Sequence, residues 1–188
     1  MLKHEPVAKY VSELTWELRG PDLVKVASGT IPQNESGTVS FTPDKDGLYV
    51  LAVTAGSCAY SIVSSTVPLA VYAGDKASFI GAAPKLYFCV PKETEEFAIQ
   101  VHSAGQETVR VNVFDTKNEQ VATGQTAPGN SGIEVRVPRA GRPGGVWSLE
   151  TARADEGVLE DYSLGLDAKL LPCLSFAPQH VFAESAAK

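Results

Sequence analysis

"SGTVSFTPDKDGLYVLAV", residues 36–53, reads as a strand, a turn and a second strand, and a variant of it, "SGIEVRVPRAGRPGGVWSLET", occupies residues 131–151. In both stretches apolar residues alternate with polar ones, which is the pattern of a strand with one buried face. In both, a turn rich in proline, glycine and charged residues separates the two strands. A strand–turn–strand segment that occurs twice predicts a chain built from two related β domains.

Alternation of this kind runs through most of the chain, whereas helical periodicity is nearly absent. Turn signals such as "RGPD", "YAGD" and "APGNSG" separate the alternating segments at short intervals. This pattern predicts an all-β fold, here two tandem antiparallel β-sandwich units of the jelly-roll or immunoglobulin-like kind. The alternating apolar residues are Leu14, Trp16, Leu18, Val39, Phe41, Tyr49, Leu51, Val53, Val109, Val111, Val113, Ile133, Val135, Val137, Tyr162, Leu164 and Leu166.

The two copies align at a fixed offset of 95 residues, at which "VASG" at 26–29 falls on "VATG" at 121–124. After Ser36-Gly37 and Ser131-Gly132 the apolar residues differ in parity, so the alignment needs a slip of one residue there. Beyond the longer turn of the second copy the order of features is kept. The further matches are Leu14, Trp16 and Leu18 with Val109, Val111 and Val113, Gly47–Leu51 with Gly145–Leu149, and "AYSI" with "DYSL".

The second copy contains a strand, "KLYFCVP" at 85–91, whose counterpart in the first copy would fall before residue 1. We therefore expect the first unit to be clipped at its N-terminus. Either it is a shorter sandwich or, as we favour, the chain was cut from a longer polypeptide. Small residues and a proline at 82–84 are typical of a junction. The two units are accordingly placed at 1–82 and 83–188.

Composition and charge exclude two classes of partner. The net charge of −6 and the isoelectric point near 5.1 give no basic footprint for phosphate backbones or anionic lipids. No apolar stretch approaches the roughly 20 residues that span a bilayer, so we expect neither nucleic acid nor membrane as a partner. The three cysteines, at 58, 89 and 173, are too few and too far apart for a disulfide framework or a zinc cage.

The sequence does not predict a catalytic constellation. His4, His102 and His180 are scattered, with His4 in an expected tail. There is neither a Gly-x-Ser-x-Gly elbow nor a phosphate-binding loop. A serine, a histidine and an aspartate that meet only in space are the less favoured alternative, and the chain is predicted not to be an enzyme.

Two aromatic residues occupy matching positions in the two copies. Tyr49 follows Gly47 by two residues in "DKDGLYVL". This pattern resembles the tyrosine corner of Greek-key sandwiches, in which the phenol caps a backbone group. Trp147 follows Gly145 in the same way, and we expect both rings to be structural parts of the core that bind no ligand.

Candidate ligand-binding residues are few. A sugar-binding sandwich needs exposed aromatic rings, because a pyranose stacks its C–H face on a ring while polar side chains bind its hydroxyls. Tyr10, Tyr72 and Tyr87 are the candidates for carbohydrate binding, with ordinary packing or a domain contact as the favoured alternative. Asp44 and Asp46 are oxygen ligands of the kind that calcium prefers, although solvated turn residues explain them better. A structural calcium ion is thus the one cofactor considered.

The second copy also resembles a known class of domain. The segments "LYFCVPKETEEFAIQV", "VRVNVFDTKNEQVATG" and "GVWSLET", followed by "DYSLGLD" and "LPCLSFAPQHVF", are similar to accessory β-sandwich domains at the C-termini of large bacterial carbohydrate-active enzymes. They are also similar to the jelly-roll pre-peptidase C-terminal domains of secreted proteases. The resemblance covers mainly residues 84–182. The residues that carry it are Tyr87-Phe88, Val90-Pro91, Val111, Val113, Asp115, Val121, Gly145, Trp147 and Leu149.

This resemblance implies a secreted or periplasmic, non-catalytic module that binds polysaccharide or packs against a catalytic domain on the same chain. The alternative is a structural or docking domain of a secreted protease, or of another multidomain surface protein, with no ligand of its own. The residues themselves agree on the missing active site. They favour sugar binding less, since most aromatic residues fall on core faces.

Overall fold

In the computed structural model, which describes residues 1–74 and 76–183, the chain is all-β, as the alternation predicts. Every ladder between the strands is antiparallel. Within the described ranges the only helical element is a 3-10 turn at Pro178–His180. The chain divides into two units, Met1–Val67 and Pro68–Lys188.

The first unit is built from two three-stranded sheets. Its strands are β1 (Leu2–Glu5), β2 (Leu14–Arg19), β3 (Lys25–Ile31), β4 (Ser36–Gly37), β5 (Val50–Thr54) and β6 (Ala59–Ile62). The strand orders are β4-β1-β6 and β3-β2-β5. Both sheets contribute to one small core of Leu2, Leu14, Ile31 and Ala55, against which Trp16, Val39, Leu51 and Val53 pack.

The second unit is larger, with a four-stranded and a six-stranded sheet. Its strands are β7 (Ala70–Tyr72), β8 (Ala77–Ile80), β9 (Leu86–Val90), β10 (Glu96–Ser103), β11 (Arg110–Phe114), β12 (Gln120–Gln125), β13 (Gly132–Pro138), β14 (Gly145–Ala152), β15 (Asp161–Leu166) and β16 (Cys173–Ser175). The strand orders are β13-β10-β15-β8 and β12-β11-β14-β9-β16-β7. Buried apolar residues from both sheets form one continuous core, so this unit is a β-sandwich.

Aromatic rings join the two sheets of the second unit at the centre of its core. Phe97 on β10 meets Phe88 on β9 and Trp147 on β14, with ring centroids 5.7 and 5.6 Å apart and steeply inclined planes. All three rings are buried. Edge-to-face pairs of this kind contribute about 0.5–1.5 kcal/mol beyond the burial of their area.

The boundary between the units lies earlier than the predicted junction at residues 82–83. β7 pairs with β16 and β8 pairs with β15, so both strands belong to the second unit. The small residues and proline at 82–84 form the connection between β8 and β9, which lie in different sheets of one sandwich. The division therefore falls between Val67 and Pro68.

His4 does not lie in a tail. It is part of β1, is fully buried, and its Nδ1 lies 3.1 Å from the carbonyl oxygen of Ile31. The first residues form a strand because Leu2 and His4 alternate with the charged Lys3 and Glu5, whose side chains are bridged at 2.9 Å.

The two units share strand order and register. The sheet β3-β2-β5 corresponds to β12-β11-β14, and β4-β1-β6 corresponds to β13-β10-β15. Trp16 pairs with Gly29, and Val111 pairs with Gly124. In each hairpin the pairing register shifts two residues later, after Leu18 in the first unit and after Val113 in the second. The six strands of the first unit thus correspond in order and pairing to six strands of the second.

A one-residue slip is visible in the other sheet, but it lies before Gly37 and not after Ser36-Gly37 as predicted. Leu2 pairs with Ile62, the last residue of "AYSI", and Val101 pairs with Leu164, the last residue of "DYSL". Leu2 and Val101 therefore hold corresponding positions. Leu2 also pairs with Gly37, and Val101 pairs with Ile133. Gly37 thus matches Ile133, one residue beyond the offset that relates the β2–β3 and β11–β12 hairpins.

Four strands of the second unit have no counterpart among the described residues of the first. β8 lies beside β15, β9 lies beside β14, and β16 and β7 extend the larger sheet. The order β8-β15-β10-β13 opposite β9-β14-β11-β12 is that of eight strands in two Greek keys, so we interpret the second unit as a jelly roll.

Tyr49 and Trp147 hold matching positions, as the repeat predicts. Leu51 and Leu149 lie two residues beyond Tyr49 and Trp147. Leu51 pairs with Leu18 on β2, and Leu149 pairs with Val113 on β11, the counterpart of β2. Tyr49 and Trp147 each also follow by two residues a glycine with a positive φ, +144° in the first copy and +131° in the second. Only glycine adopts such a conformation without strain.

Both side chains cap the turn that precedes them. The Tyr49 phenol donates a hydrogen bond to the carbonyl oxygen of Lys45 at 3.1 Å, and Trp147 Nε1–H donates to the carbonyl oxygen of Pro143 at the same distance. Trp147 is fully buried whereas Tyr49 is half-buried. The two side chains therefore form the same kind of hydrogen bond to the preceding turn, but only Trp147 is fully enclosed by its core.

Replacing Trp147 with alanine should lower the free energy of unfolding by about 3–5 kcal/mol, because it removes a fully buried ring and leaves a cavity. Trp147→Phe should cost less, since a ring remains beside Phe97. Tyr49→Phe should cost about 0.5–1.5 kcal/mol, the net value of one hydrogen bond. Chemical denaturation followed by far-UV circular dichroism measures all three, and an unchanged stability of Trp147→Ala would contradict the assigned role.

Candidate ligand-binding faces

The three predicted sugar-binding tyrosines are distributed over both units. Tyr10 lies between β1 and β2 in the first unit and is 54% exposed. Tyr72, which is 66% exposed, ends β7 in the second unit. Tyr87 lies half-buried on β9, which β16 separates from β7. Tyr72 pairs with Cys173 and Tyr87 with Ser175, so both tyrosines lie on the outer face of the same sheet, two strands apart, and carbohydrate binding by them stays a prediction.

The predicted calcium ligands, Asp44 and Asp46, lie in the exposed loop before β5. Oδ1 of Asp44 is 3.3 Å from the phenol oxygen of Tyr49. Across residues 1–74 and 76–183, no group of three or more His, Cys, Asp or Glu side chains is placed to hold a metal ion. The calcium site stays a prediction.

Two shallow depressions lie at equivalent places on the two units, each over the outer face of a hairpin. The first, of about 480 Å³, lies over β2, β3 and β5, and the second, of about 550 Å³, lies over β11 and β12. The first is lined by Thr15, Trp16, Glu17, Ser28, Gly29, Thr30, Ala52 and Thr54. The second is lined by Arg110, Asn112, Gln120, Thr123, Gly124, Gln125 and Asp155.

The pairing register makes these two surfaces counterparts. The ladder places Thr15 opposite Thr30 and Glu17 opposite Ser28, and it places Arg110 opposite Gln125 and Asn112 opposite Thr123. The eight side chains are all polar, and they occupy the same four positions in the two copies. We call these surfaces the first and second polar faces.

A glycine at the centre of each face is required by packing. A Cβ on Gly29 would lie 2.9 Å from the Trp16 ring, and a Cβ on Gly124 would lie 2.7 Å from the side chain of Val135. Distances that short are not tolerated between carbon atoms. The glycine of the shared "VASG" and "VATG" segments thus leaves room for a core side chain on the inner side of each hairpin.

The second polar face is held by a closed hydrogen-bond network. Arg110 donates to Oε1 of Gln125 from Nε at 2.9 Å and from Nη2 at 2.6 Å, and Nη2 also donates to Oδ1 of Asp155 at 2.6 Å. The Gln125 amide donates to Oδ2 of Asp155 at 2.9 Å. The hydrogen bond from Arg110, helped by that from Gln125, holds the pKa of Asp155 below its usual value.

The first polar face is fixed by ion pairs at its rim. Oε1 of Glu17 accepts a hydrogen bond from Arg19 at 2.6 Å, and Oε2 lies 3.7 Å from the Lys25 ammonium group. The hydrogen bond from Arg19 lowers the pKa of Glu17. Exposed pairs of this kind contribute little to stability, but they orient the carboxylate on the face.

Sequence reasoning missed both polar faces because it searched for exposed aromatic rings. The neighbours of Gly29 and Gly124 read as ordinary outward-facing residues of half-exposed strands. The available signal was the fixed offset of 95 residues, which superimposes four polar positions of one hairpin on four polar positions of the other.

Comparisons of the chain with protein families, with curated proteins and with solved structures found no match. The resemblance to accessory β-sandwich domains therefore rests on the sequence segments alone. Among the described residues, no helix has the length and apolar character needed to cross a membrane.

Replacing Arg110 with glutamine should raise the pKa of Asp155 toward its ordinary value, because the largest stabilising contact of the carboxylate is lost. Carboxyl-detected NMR titration measures the shift. Arg136→Gln on β13, where Arg136 bridges Glu134 at 2.7 Å, is the matched control and should leave Asp155 unchanged. Since folding lowers this pKa, any stability that Asp155 supplies is present above its unfolded pKa and is lost as the pH falls through the folded value. An equal titration in wild type and Arg110→Gln would contradict the network.

Proposed function

We propose that this chain is a non-catalytic accessory module of a secreted bacterial carbohydrate-active enzyme and that it binds polysaccharide through its two polar faces. The observation that supports this proposal is the placement of two polar depressions at equivalent positions of the two units. The resemblance of residues 84–182 to such modules points the same way.

The chemistry of the faces suits an uncharged, hydroxyl-rich ligand. Amide and hydroxyl groups both donate and accept hydrogen bonds, as sugar hydroxyls require. On the second polar face the guanidinium of Arg110 and the carboxylate of Asp155 neutralise each other at 2.6 Å. A polyanion would gain little there, and the net charge of −6 would oppose its approach.

The shape of the faces suits a polymer better than a small molecule. Sites for small ligands are concave and bury most of the ligand surface. The two polar faces are open to solvent over the outer side of a sheet, where an extended chain can lie across several strands. When the ligand is a long repeating chain, weak contacts with several of its sugar residues add up to useful overall affinity.

Affinity electrophoresis against a panel of soluble neutral glycans tests the proposal. We expect at least one glycan to retard the wild-type chain. The double variants Asn112→Ala/Gln125→Ala and Glu17→Ala/Thr30→Ala should each bind about threefold to tenfold more weakly, since each loses hydrogen-bonding groups from one face.

Gln100→Ala is the matched control, because Gln100 is an amide on the other sheet of the second unit, bonded to Glu134 at 2.7 Å. It should bind as the wild type does. Migration unaffected by every glycan, or equal retardation of all variants, would contradict the proposal.

A second candidate function is a structural or docking domain that packs against a catalytic domain on the same chain, in a secreted protease or another multidomain surface protein. The exposed apolar side chains of the first unit favour it, because Tyr60 and Ile62 are 44% and 42% exposed. Under this alternative the chain has no glycan ligand, and the electrophoresis above separates the two functions.

A further inference from the structure

Two edge strands of the first unit, β5 and β6, correspond to strands of the second unit that are paired on both sides. In the second unit β14 pairs with both β11 and β9, and β15 pairs with both β10 and β8. Within the described part of the first unit, their counterparts β5 and β6 each have one partner, β2 and β1 respectively. The missing neighbours are the counterparts of β8 and β9, which are consecutive in the chain.

The absence of these two strands leaves core positions of the first unit exposed. Tyr60 and Ile62 match Tyr162 and Leu164 by register, yet they are 44% and 42% exposed whereas their counterparts are 4% and 0% exposed. Tyr162 is covered by the ring of Phe79 on β8, which stacks on it at 5.6 Å. No described ring of the first unit stacks on Tyr60.

The second edge shows the same difference. Leu51 on β5 is half-buried, while its counterpart Leu149 is fully buried beneath the pairing of β14 with β9. In that ladder Leu149 lies opposite Leu86. The two open edges thus border one apolar opening into the core of the first unit, which we call the open side.

The open side also lacks the devices that protect an exposed strand edge. Native edges usually carry charged residues or proline, which discourage pairing with other chains. β5 reads "VLAVT" and β6 reads "AYSI", with neither a charge nor a proline. By contrast the edge strand β13 carries Glu134 and Arg136 and ends at Pro138.

We propose that the open side binds two consecutive antiparallel strands of a polypeptide segment outside residues 1–188, one along β6 and one along β5, in the places that β8 and β9 take in the second unit. The occupant leads into β1 as β9 leads into β10. The inference rests on the two unpaired edges of β5 and β6 and on the places that β8 and β9 take in the second unit. It is independent of glycan binding by the polar faces.

The structure defines the chemistry of this occupant. Its backbone supplies hydrogen bonds to both edges, as in other cases of strand addition. Its first strand places an aromatic or large apolar residue over Tyr60, as Phe79 does over Tyr162. Its second strand alternates apolar residues toward Leu51 and Tyr49, as Leu86 and Phe88 lie opposite Leu149 and Trp147. Apolar residues are favoured at these inward positions because burying a charge beside apolar side chains is costly.

The test compares the full chain with a fusion in which a copy of residues 76–99 is joined directly to Met1, so that β8, β9, the connection at 91–95 and the part of β10 that precedes the counterpart of Met1 are retained. The control fusion carries the same copy with Phe79, Leu86 and Phe88 replaced by serine. Hydrogen exchange read by mass spectrometry follows β5 and β6, with β14 and β15 as internal references. Sedimentation velocity gives the oligomeric state.

We expect the unfused chain to be a monomer in which β5 and β6 exchange faster than β14 and β15. The fusion should slow exchange in β5 and β6 by about tenfold or more relative to the control fusion, as gained ladder hydrogen bonds and burial require.

Equal exchange in the two fusions would overturn the proposal. So would slow exchange of β5 and β6 in the unfused monomer, because the edges would then not be open. A dimer with protected β5 and β6 would also overturn it, and would identify a second copy of the chain as the occupant.

Discussion

The ring of Phe97, held edge-on between Phe88 and Trp147, is the contact on which the second unit depends. It comes from one sheet and meets two strands of the other, so it fixes the separation of the sheets at the point where both are fully buried. The surrounding strands can then alternate Leu, Val and Ile into a closed interior. The first unit has a smaller core without such a cluster, and its Tyr49 accordingly stays half-buried where Trp147 is fully enclosed.

The sequence was enough to predict the all-β class and the equivalence of Tyr49 with Trp147, because both follow from local patterns of alternation and turn residues. The boundary was predicted wrongly because β7 and β8 are three and four residues long and pair with strands far along the chain. Alternation shows that a segment is a strand but not which strand is its neighbour. His4 was misplaced for a similar reason, since a polar residue in a four-residue strand does not register as part of a core.

The polar faces could not be predicted from residue type, since every half-exposed strand carries polar residues on its outer side. What distinguishes them is position. Four polar residues around a glycine recur at one offset, on hairpins whose inner faces are occupied by Trp16 in one copy and Val135 in the other. The inner packing requires the glycine, because a Cβ there would point toward these core side chains. The polar residues that alternate with it point the other way and form the outer face.

The one-residue slip between the two sheets lies in the connection from β3 to β4 and in its counterpart from β12 to β13. A residue inserted within a strand would turn every later side chain of that strand to the opposite face. Placed in the connection, it moves the next strand as a whole and leaves its alternation intact. This difference in length between the two units therefore lies in a loop. In a loop the fold can gain or lose a residue without turning core side chains toward solvent.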